Sequence, residues 1–447
     1  VAVELRPVDA TTGRALAPDP APRPGSAATS GVPSGVSGVG WRWEVPDGQA
    51  VVDTVVAGGG AAVLHLDGVT LLDTRTGEER WRYRRADTNA TDIAAAPDGG
   101  ALVVAFGAKD HAGGSELRLV ALDAATGRVR SEHRSPDVDF RDASPALPEN
   151  FAVTADTFLV EDEASDGDGR SFTAFGLDSG ERAWRFAAPE GCVLNGWTPY
   201  AALRGEVVAL AQCGLTAADA EDPDGNPLDH GVLLVGLDPA DGSELWRHEE
   251  AVTALPYWVR AQASADGGVL ALEWQTGDGE GTRENVFVRP GGGVAARDHA
   301  DLRAIPTWEG GDTLTGDGFL TGDESRSGDQ RYDRYTLRPF EGQERSASVG
   351  HVRSFKAGAL ALEDQLVVLR SLYREDEPPY TNEPVLVLLQ PWGAAEGEEP
   401  ERLEIDLARD SENFGYLVHA HDHASLYAAP GAVVVARPDA LEVVGLQ

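Results

Sequence analysis

Methionine is absent from the sequence, lysine occurs only at Lys109 and Lys356, and isoleucine only at Ile93, Ile305 and Ile405. The scarce residues share AT-rich codons, so their loss predicts a high-GC, actinobacterial-type genome and carries no functional message. No run of 18 or more apolar residues exists, which excludes a membrane-spanning helix in these 447 residues. Basic residues are few, 37 against 74 acidic, and the formal net charge is −37. That balance argues against nucleic acid, whose affinity comes mostly from Lys and Arg neutralising phosphates. It disfavours adsorption to anionic lipid for the same reason. The excess charge fits solubility by self-repulsion, or a face meant for cations or a basic partner. The chain opens on Val1, so any initiator, signal peptide or anchor is expected to have been trimmed away.

Cys192 and Cys213 are the whole sulfur inventory. A lone pair fits one disulfide formed in an oxidising compartment, with two buried thiols as the other reading. With so little sulfur, no Cys-His nucleophile set can be assembled. G-x-S-x-G, P-loop and H-E-x-x-H signatures are missing too.

Residues 1–40 read as a flexible Pro/Gly/Ala/Ser-rich linker, most clearly over 17–40, and residues 41–447 as one domain. Within that domain the sequence repeats. LLDTRTGEERW (Leu71–Trp81) recurs as ALDAATGRVR (Ala121–Arg130), GLDSGERAW (Gly176–Trp184) and GLDPADGSELW (Gly236–Trp246). The aspartates Asp73, Asp123, Asp178 and Asp238 lie 50 to 60 residues apart, the period of propellers and solenoids. In each unit a β-prone run ends in Leu-Asp, Gly supplies the positive φ of a tight turn, and the next strand follows. Where Trp81, Trp184 and Trp246 appear, each comes four residues after the Gly, placed as a wedge between neighbouring sheets. After residue 290 the Trp signature decays while the spacing persists.

Fourth strands near 43, 82, 130, 184, 246, 297, 346 and 403 predict an all-β, eight-bladed β-propeller of four-stranded antiparallel blades, with seven as the alternative count. Ala424–Gln447 supplies three strands and stops. Trp41–Val45 is therefore expected to complete the last blade and remove the open edges.

The motif A/L-L-D-x-x-T-G-x-x-x-W resembles the tryptophan-docking repeat of pyrroloquinoline-quinone-like (PQQ-like) propellers, over nearly the whole ordered chain. The resemblance implies the fold more than the function, because the same repeat builds dehydrogenases, outer-membrane assembly scaffolds and sensor domains. Alcohol-oxidising members hold their cofactor against a disulfide of adjacent cysteines, and no Cys-Cys occurs here. The chain thus looks like a non-dehydrogenase bacterial member. It is read as an extracytoplasmic ligand- or protein-binding scaffold, secreted, lipid-anchored or an ectodomain, monomeric and without catalysis of its own. A quinone- or metal-dependent oxidoreductase and a polysaccharide hydrolase or lyase acting in the central funnel are the alternatives.

Propeller topology puts the fourth-to-first and second-to-third connections on one face. Long insertions are expected at the second-to-third positions 107–115, 161–170, 214–231, 275–284, 322–331 and 371–382, with tight turns opposite. On that elaborated face lie Trp197, Tyr200, Tyr257, Trp258, Arg260, Trp308, Arg353 and Lys356, a ring of aromatics and cations suited to a protein or small-molecule ligand, or to plugging the channel mouth. A Cys192–Cys213 bridge would pin that same face. Two weaker constellations complete the inventory. His419, His421 and His423 alternate at a spacing suited to a transition metal, or are surface histidines. Asp222, Asp224, Asn226 and Asp229 offer oxygen donors of calcium-loop type, or are a polar hairpin tip. No cofactor is expected; calcium is the one candidate.

Overall fold

The Leu-Asp-turn-Gly unit does what its chemistry predicts. Asp73 caps its own turn, its carboxylate accepting from Arg75 N at 2.9 Å while its carbonyl accepts from Gly77 N at 2.8 Å. Asp123 with Gly127 and Asp238 with Gly242 repeat the closing bond at 2.8 Å, and all three glycines sit at φ near +70°. Just before each turn the third strand slips register by one residue, as between Leu71 and Leu72, Ala121 and Leu122, and Gly236 and Leu237. The bulge lets the outer strand twist away from its partner.

In the computed structural model these units form eight antiparallel four-stranded sheets. Residues 8–9, 14–15, 31–85, 88–108, 117–135, 152–162, 171–195, 198–214, 230–252, 256–276, 283–299, 313–327, 330–350, 354–372, 384–407 and 424–447 are described. Blade 1 is Val51–Ala57, Gly60–His65, Gly68–Leu72 and Glu79–Arg84, running from the axis outward. Blades 2 to 7 follow the same order, opening at Thr88, Ala152, Cys192, Pro256, Leu314 and Ser354. Blade 8 is Ser425–Ala429, Ala432–Ala436 and Glu442–Leu446, and its outer strand is Val39–Glu44 from the other end of the chain. Trp41 pairs with Gly445 and Trp43 with Val443, so the ring closes with eight blades as expected. A single 3-10 turn, Pro46–Gly48, is the one helical element among the described residues.

Seams between blades are filled by large outer-strand side chains set against the next blade's glycine. A Cβ on Gly77, Gly127, Gly242 or Gly292 would lie 2.6–2.8 Å from the ring of Trp41, Trp81, Trp184 or Trp246 respectively. Three of these indoles donate to a turn carbonyl beside that glycine: Trp41 to Thr74 at 2.7 Å, Trp81 to Ala124 at 3.0 Å and Trp184 to Pro239 at 2.8 Å. Trp246 instead donates to the Glu206 carboxylate at 2.9 Å, which also accepts from Gly291 N. Where Trp is missing, other chemistry serves. Ser131 bonds the Leu177 carbonyl at 2.6 Å between blades 2 and 3, and Phe287, Phe319 and Phe340 cluster between blades 5 and 6. Between blades 6 and 7 a buried Arg370 spans to Asp333 and to the Tyr335 hydroxyl, both at 2.7 Å.

The segment before Trp41 is bonded to the ring from Gly31 onward. Gly31 O accepts from Gly431 N, Ser34 O from Asp364 N at 2.8 Å, and Val36 O from the Gln365 amide at 2.8 Å. Val36 is buried in the cluster shared by blades 7 and 8. Val8–Asp9 and Arg14–Ala15 form a short antiparallel pair.

Candidate functional site

Strand bounds sort every connection by face. On the face bearing the first-to-second and third-to-fourth turns, none is longer than 392–400. On the other face the chain runs 136–151, 214–229, 299–313, 373–384 and 406–424 between strands. The elaboration is therefore one-sided, and fourth-to-first connections share it with the second-to-third ones. One expected insertion is absent: over 322–331 the strands Gly318–Ser327 and Gln330–Pro339 continue as a ladder, pairing Asp323 with Arg334 and Arg326 with Arg331. Polar residues are compatible with strand backbone wherever the ladder bonds continue, so polarity there does not signal a loop.

Blade 4 carries the most built part of this face. Its inner strand is broken into Cys192–Leu194 and Tyr200–Leu203, both paired with Glu206–Cys213. Cys192 pairs opposite Cys213 and the two form a disulfide. Between the two strand pieces, Asn195 donates its amide to Val259 O at 2.9 Å and accepts from Thr198 N at 2.8 Å. Thr198 Oγ1 in turn accepts from Ala261 N at 2.9 Å. The excursion is thus anchored to the inner strand of blade 5 and held at its root by the bridge.

The expected ring of aromatics and cations is only partly on view. Tyr200 is buried, its ring 4.7 Å from that of Phe172, and burial pushes its hydroxyl pKa up. It fills the seam between blades 3 and 4, because its position on the inner strand faces the neighbouring sheet. Arg260 lies on the inner strand of blade 5, and its charge is matched by the buried Glu273 at 2.6 Å. Tyr257, Trp258 and Lys356 have strand backbone, with side chains outside the described residues. Trp197, Trp308 and Arg353 lie outside the described residues, as do His419, His421, His423, Asp222, Asp224, Asn226 and Asp229. Among the described residues no group of three or more His, Cys, Asp or Glu side chains is arranged to hold a metal ion.

Two constellations escaped the sequence reading. His65, buried at the top of blade 1, has Nδ1 against Asp67 Oδ1 at 2.9 Å and Gln49 Oε1 at 3.1 Å, and Nε2 against Thr70 Oγ1 at 3.0 Å. The order hydroxyl, imidazole, carboxylate is that of a hydrolytic triad. Thr70 is fully buried, however, so no substrate reaches its oxygen and the group is a structural network. Burial alone would raise the Asp67 carboxyl, but bonds from His65, Arg84 and Gln49 hold it well below the usual range. The second constellation is Asp53 with Asp92, half-buried at matching positions on the inner strands of blades 1 and 2. Burial, with the nearby Asp92 charge adding to it, pushes Asp53 up to about 7, and burial pushes Asp92 up to about 6.

The family model described as outer membrane protein assembly factor BamB matches residues 38–144 and 69–251. No curated protein matches the chain. Among solved structures, BamB from Moraxella catarrhalis is 12% identical, with 92% of this chain and 99% of that one covered at a TM-score of 0.44. The β-propeller domain of the trilobed protease from Pyrococcus furiosus is 13% identical, with 80% and 97% covered at 0.40. No helix among the described residues is long and apolar enough to cross a membrane. With eight paired sheets, the recurrent Leu-Asp-turn-Gly unit and the family match over its first half, the chain is a PQQ-like repeat β-propeller.

Proposed function

We propose that this propeller is a binding scaffold without catalysis of its own, working outside the cytoplasm as a monomer and taking a protein partner on its long-loop face. The observation that carries the reading is the one-sided distribution of long connections. A ring whose long connections all join strands on one side, with minimal turns on the other, is the arrangement of a recognition surface. The match to an assembly-factor family supports a scaffolding role, and the disulfide supports an oxidising compartment. Compensation of Arg260 by Glu273 favours a protein surface over a small anion held by that guanidinium.

The test is site-specific photo-crosslinking in the producing cells, with the probe in the sequence of the long connections 214–229 or 373–384, at Asp219 or Asp376, and at Ala240 on the turn face. Discrete adducts from the first two positions alone, lost when Trp258 and Trp308 are replaced by Ala, support the reading. Adducts from Ala240 alone move the surface to the other face. A stoichiometric chromophore or metal in protein supplied with quinone and calcium overturns the non-catalytic reading and favours the oxidoreductase.

A further inference from the structure

On the short-turn face the innermost connections, first strand to second, are of two kinds. In blades 1, 3, 4, 6, 7 and 8 they are two or three residues, 58–59, 154–156, 204–205, 316–317, 362–364 and 430–431. In blades 2 and 5 they are longer, 96–100 and 264–269. Both of these carry Asp-Gly-Gly, at 98–100 and 266–268, a tripeptide found nowhere else in the sequence. They are built alike. Asp98 accepts from Gly100 N at 2.9 Å and Asp266 from Gly268 N at 3.1 Å. The first glycine of each takes the left-handed conformation, Gly99 at φ +69° and Gly267 at φ +62°, and its N–H closes the turn on Ala96 O or Ser264 O at 2.8 Å.

These two turns touch. A Cβ on Gly267 would lie 2.4 Å from Pro97 Cβ, so its bare backbone packs directly on the proline ring. Blades 3 and 4 stand between blades 2 and 5 on one side and four blades on the other, so the contact crosses the axis. Neighbouring turns join it. From blade 1, Gly58 N donates to Gly99 O at 2.7 Å; from blade 4, Arg204 donates its N to Gly267 O at 3.0 Å and its Nε to Asp266 O at 2.6 Å. In blade 6, Gly316 lies so close that a Cβ on Gly268 would sit 2.7 Å from its Cα. The turns of blades 7 and 8 are bonded instead to the segment before Trp41, Asp364 N to Ser34 O and Gly431 N to Gly31 O.

We infer that the two Asp-Gly-Gly turns form a clasp across the axis and, with the segment 31–36, floor the channel, making it a blind funnel that opens only on the long-loop face. A connection of two residues stays at the wall, whereas the longer pair reaches inward far enough to meet. Glycine at 267 and 268 lets backbone approach backbone, and Pro97 supplies a stiff apolar stop. Anything that uses the axis then enters and leaves on the face that carries the long connections, and nothing threads through. This closure does not depend on what the propeller binds or where.

The experiment has two readouts on the full chain, whose native cysteines are already bridged. Nitroxide labels at the exposed positions Asp98→Cys and Ala265→Cys report by dipolar broadening whether the turns meet. Separately, Ala95→Cys puts a thiol at the last residue of blade 2's inner strand, just inside the clasp, and its modification rate by a charged methanethiosulfonate is measured. Both are repeated with Gly267→Val, which forces Pro97 away, and with Gly205→Val, which has the same left-handed backbone and open space around it. Strong broadening that Gly267→Val abolishes and Gly205→Val keeps, with modification several-fold faster in Gly267→Val alone, supports the closed floor. Labels far apart in the parent, or one modification rate in all three backgrounds, overturns it. Should Gly267→Val fail to fold, the label spacing in the parent decides.

Discussion

Replacing Gly77 by Ala strikes the closing seam at one atom. Gly77 has φ +74°, and the added Cβ would sit 2.8 Å from the Trp41 ring. The left-handed backbone alone costs a non-glycine residue ~1–2 kcal/mol. Overpacking against an indole that is itself 7% exposed adds ~1–3 kcal/mol. Gly205 separates the two contributions, since its φ is +77° yet nothing lies within 4 Å of its Cβ position. Gly205→Ala should therefore cost only the backbone part. Gly127→Ala, at the interior seam where Trp81 sits, should match Gly77→Ala if the ring is closed as firmly as it is built elsewhere. Trp41→Ala should cost ~3–5 kcal/mol by itself, and in that background the Gly77 penalty should shrink to the Gly205 value. The assay is equilibrium urea unfolding, or unfolding rates if refolding fails. Equal losses for Gly77→Ala and Gly205→Ala, or a Gly77 penalty that survives removal of Trp41, would refute the wedge.

Replacing Cys192 and Cys213 together by Ala should cost ~3 kcal/mol, the value for a loop of this size. It should also speed amide exchange at Ala261, whose N–H is held by the excursion the bridge secures; an unchanged Ala261 would separate bridge from excursion. Arg370→Ala leaves Asp333 buried without its cation and should cost ~3–5 kcal/mol, whereas Arg370→Leu with Asp333→Leu should recover much of that. A single variant within 1 kcal/mol of wild type would show that the pair carries little.

Much of the ring was legible because its signals are local. Asp73, Gly77 and Trp81 lie within nine residues, and the same turn chemistry recurs wherever those residue types do. Blade number and closure by Trp41–Val45 followed from counting such units. The seams without Trp were not legible. Ser131, the Phe287 cluster and Arg370 perform the same task with residues that have no fixed spacing to their partners. The candidate site was less legible still. Tyr200 and Arg260, expected in the ring of aromatics and cations on the elaborated face, lie on inner strands, and whether a ring is buried or a charge is matched there depends on Phe172 and Glu273. His65 and Asp53 gave no signal, being single polar residues in apolar runs.

By itself the amino-acid order determined the repeat, most of the strands and the turn residues, because bonds between adjacent strands obey short-range rules. Tertiary structure alone decided that Arg370 reaches Asp333 in the neighbouring blade, that Glu206 receives the Trp246 indole, and that all long connections start and end on one face. Those facts depend on which blade stands beside which, and on the tilt at which they meet. Neighbours around a ring lie dozens of residues apart in the chain, and no local preference encodes the distance between them.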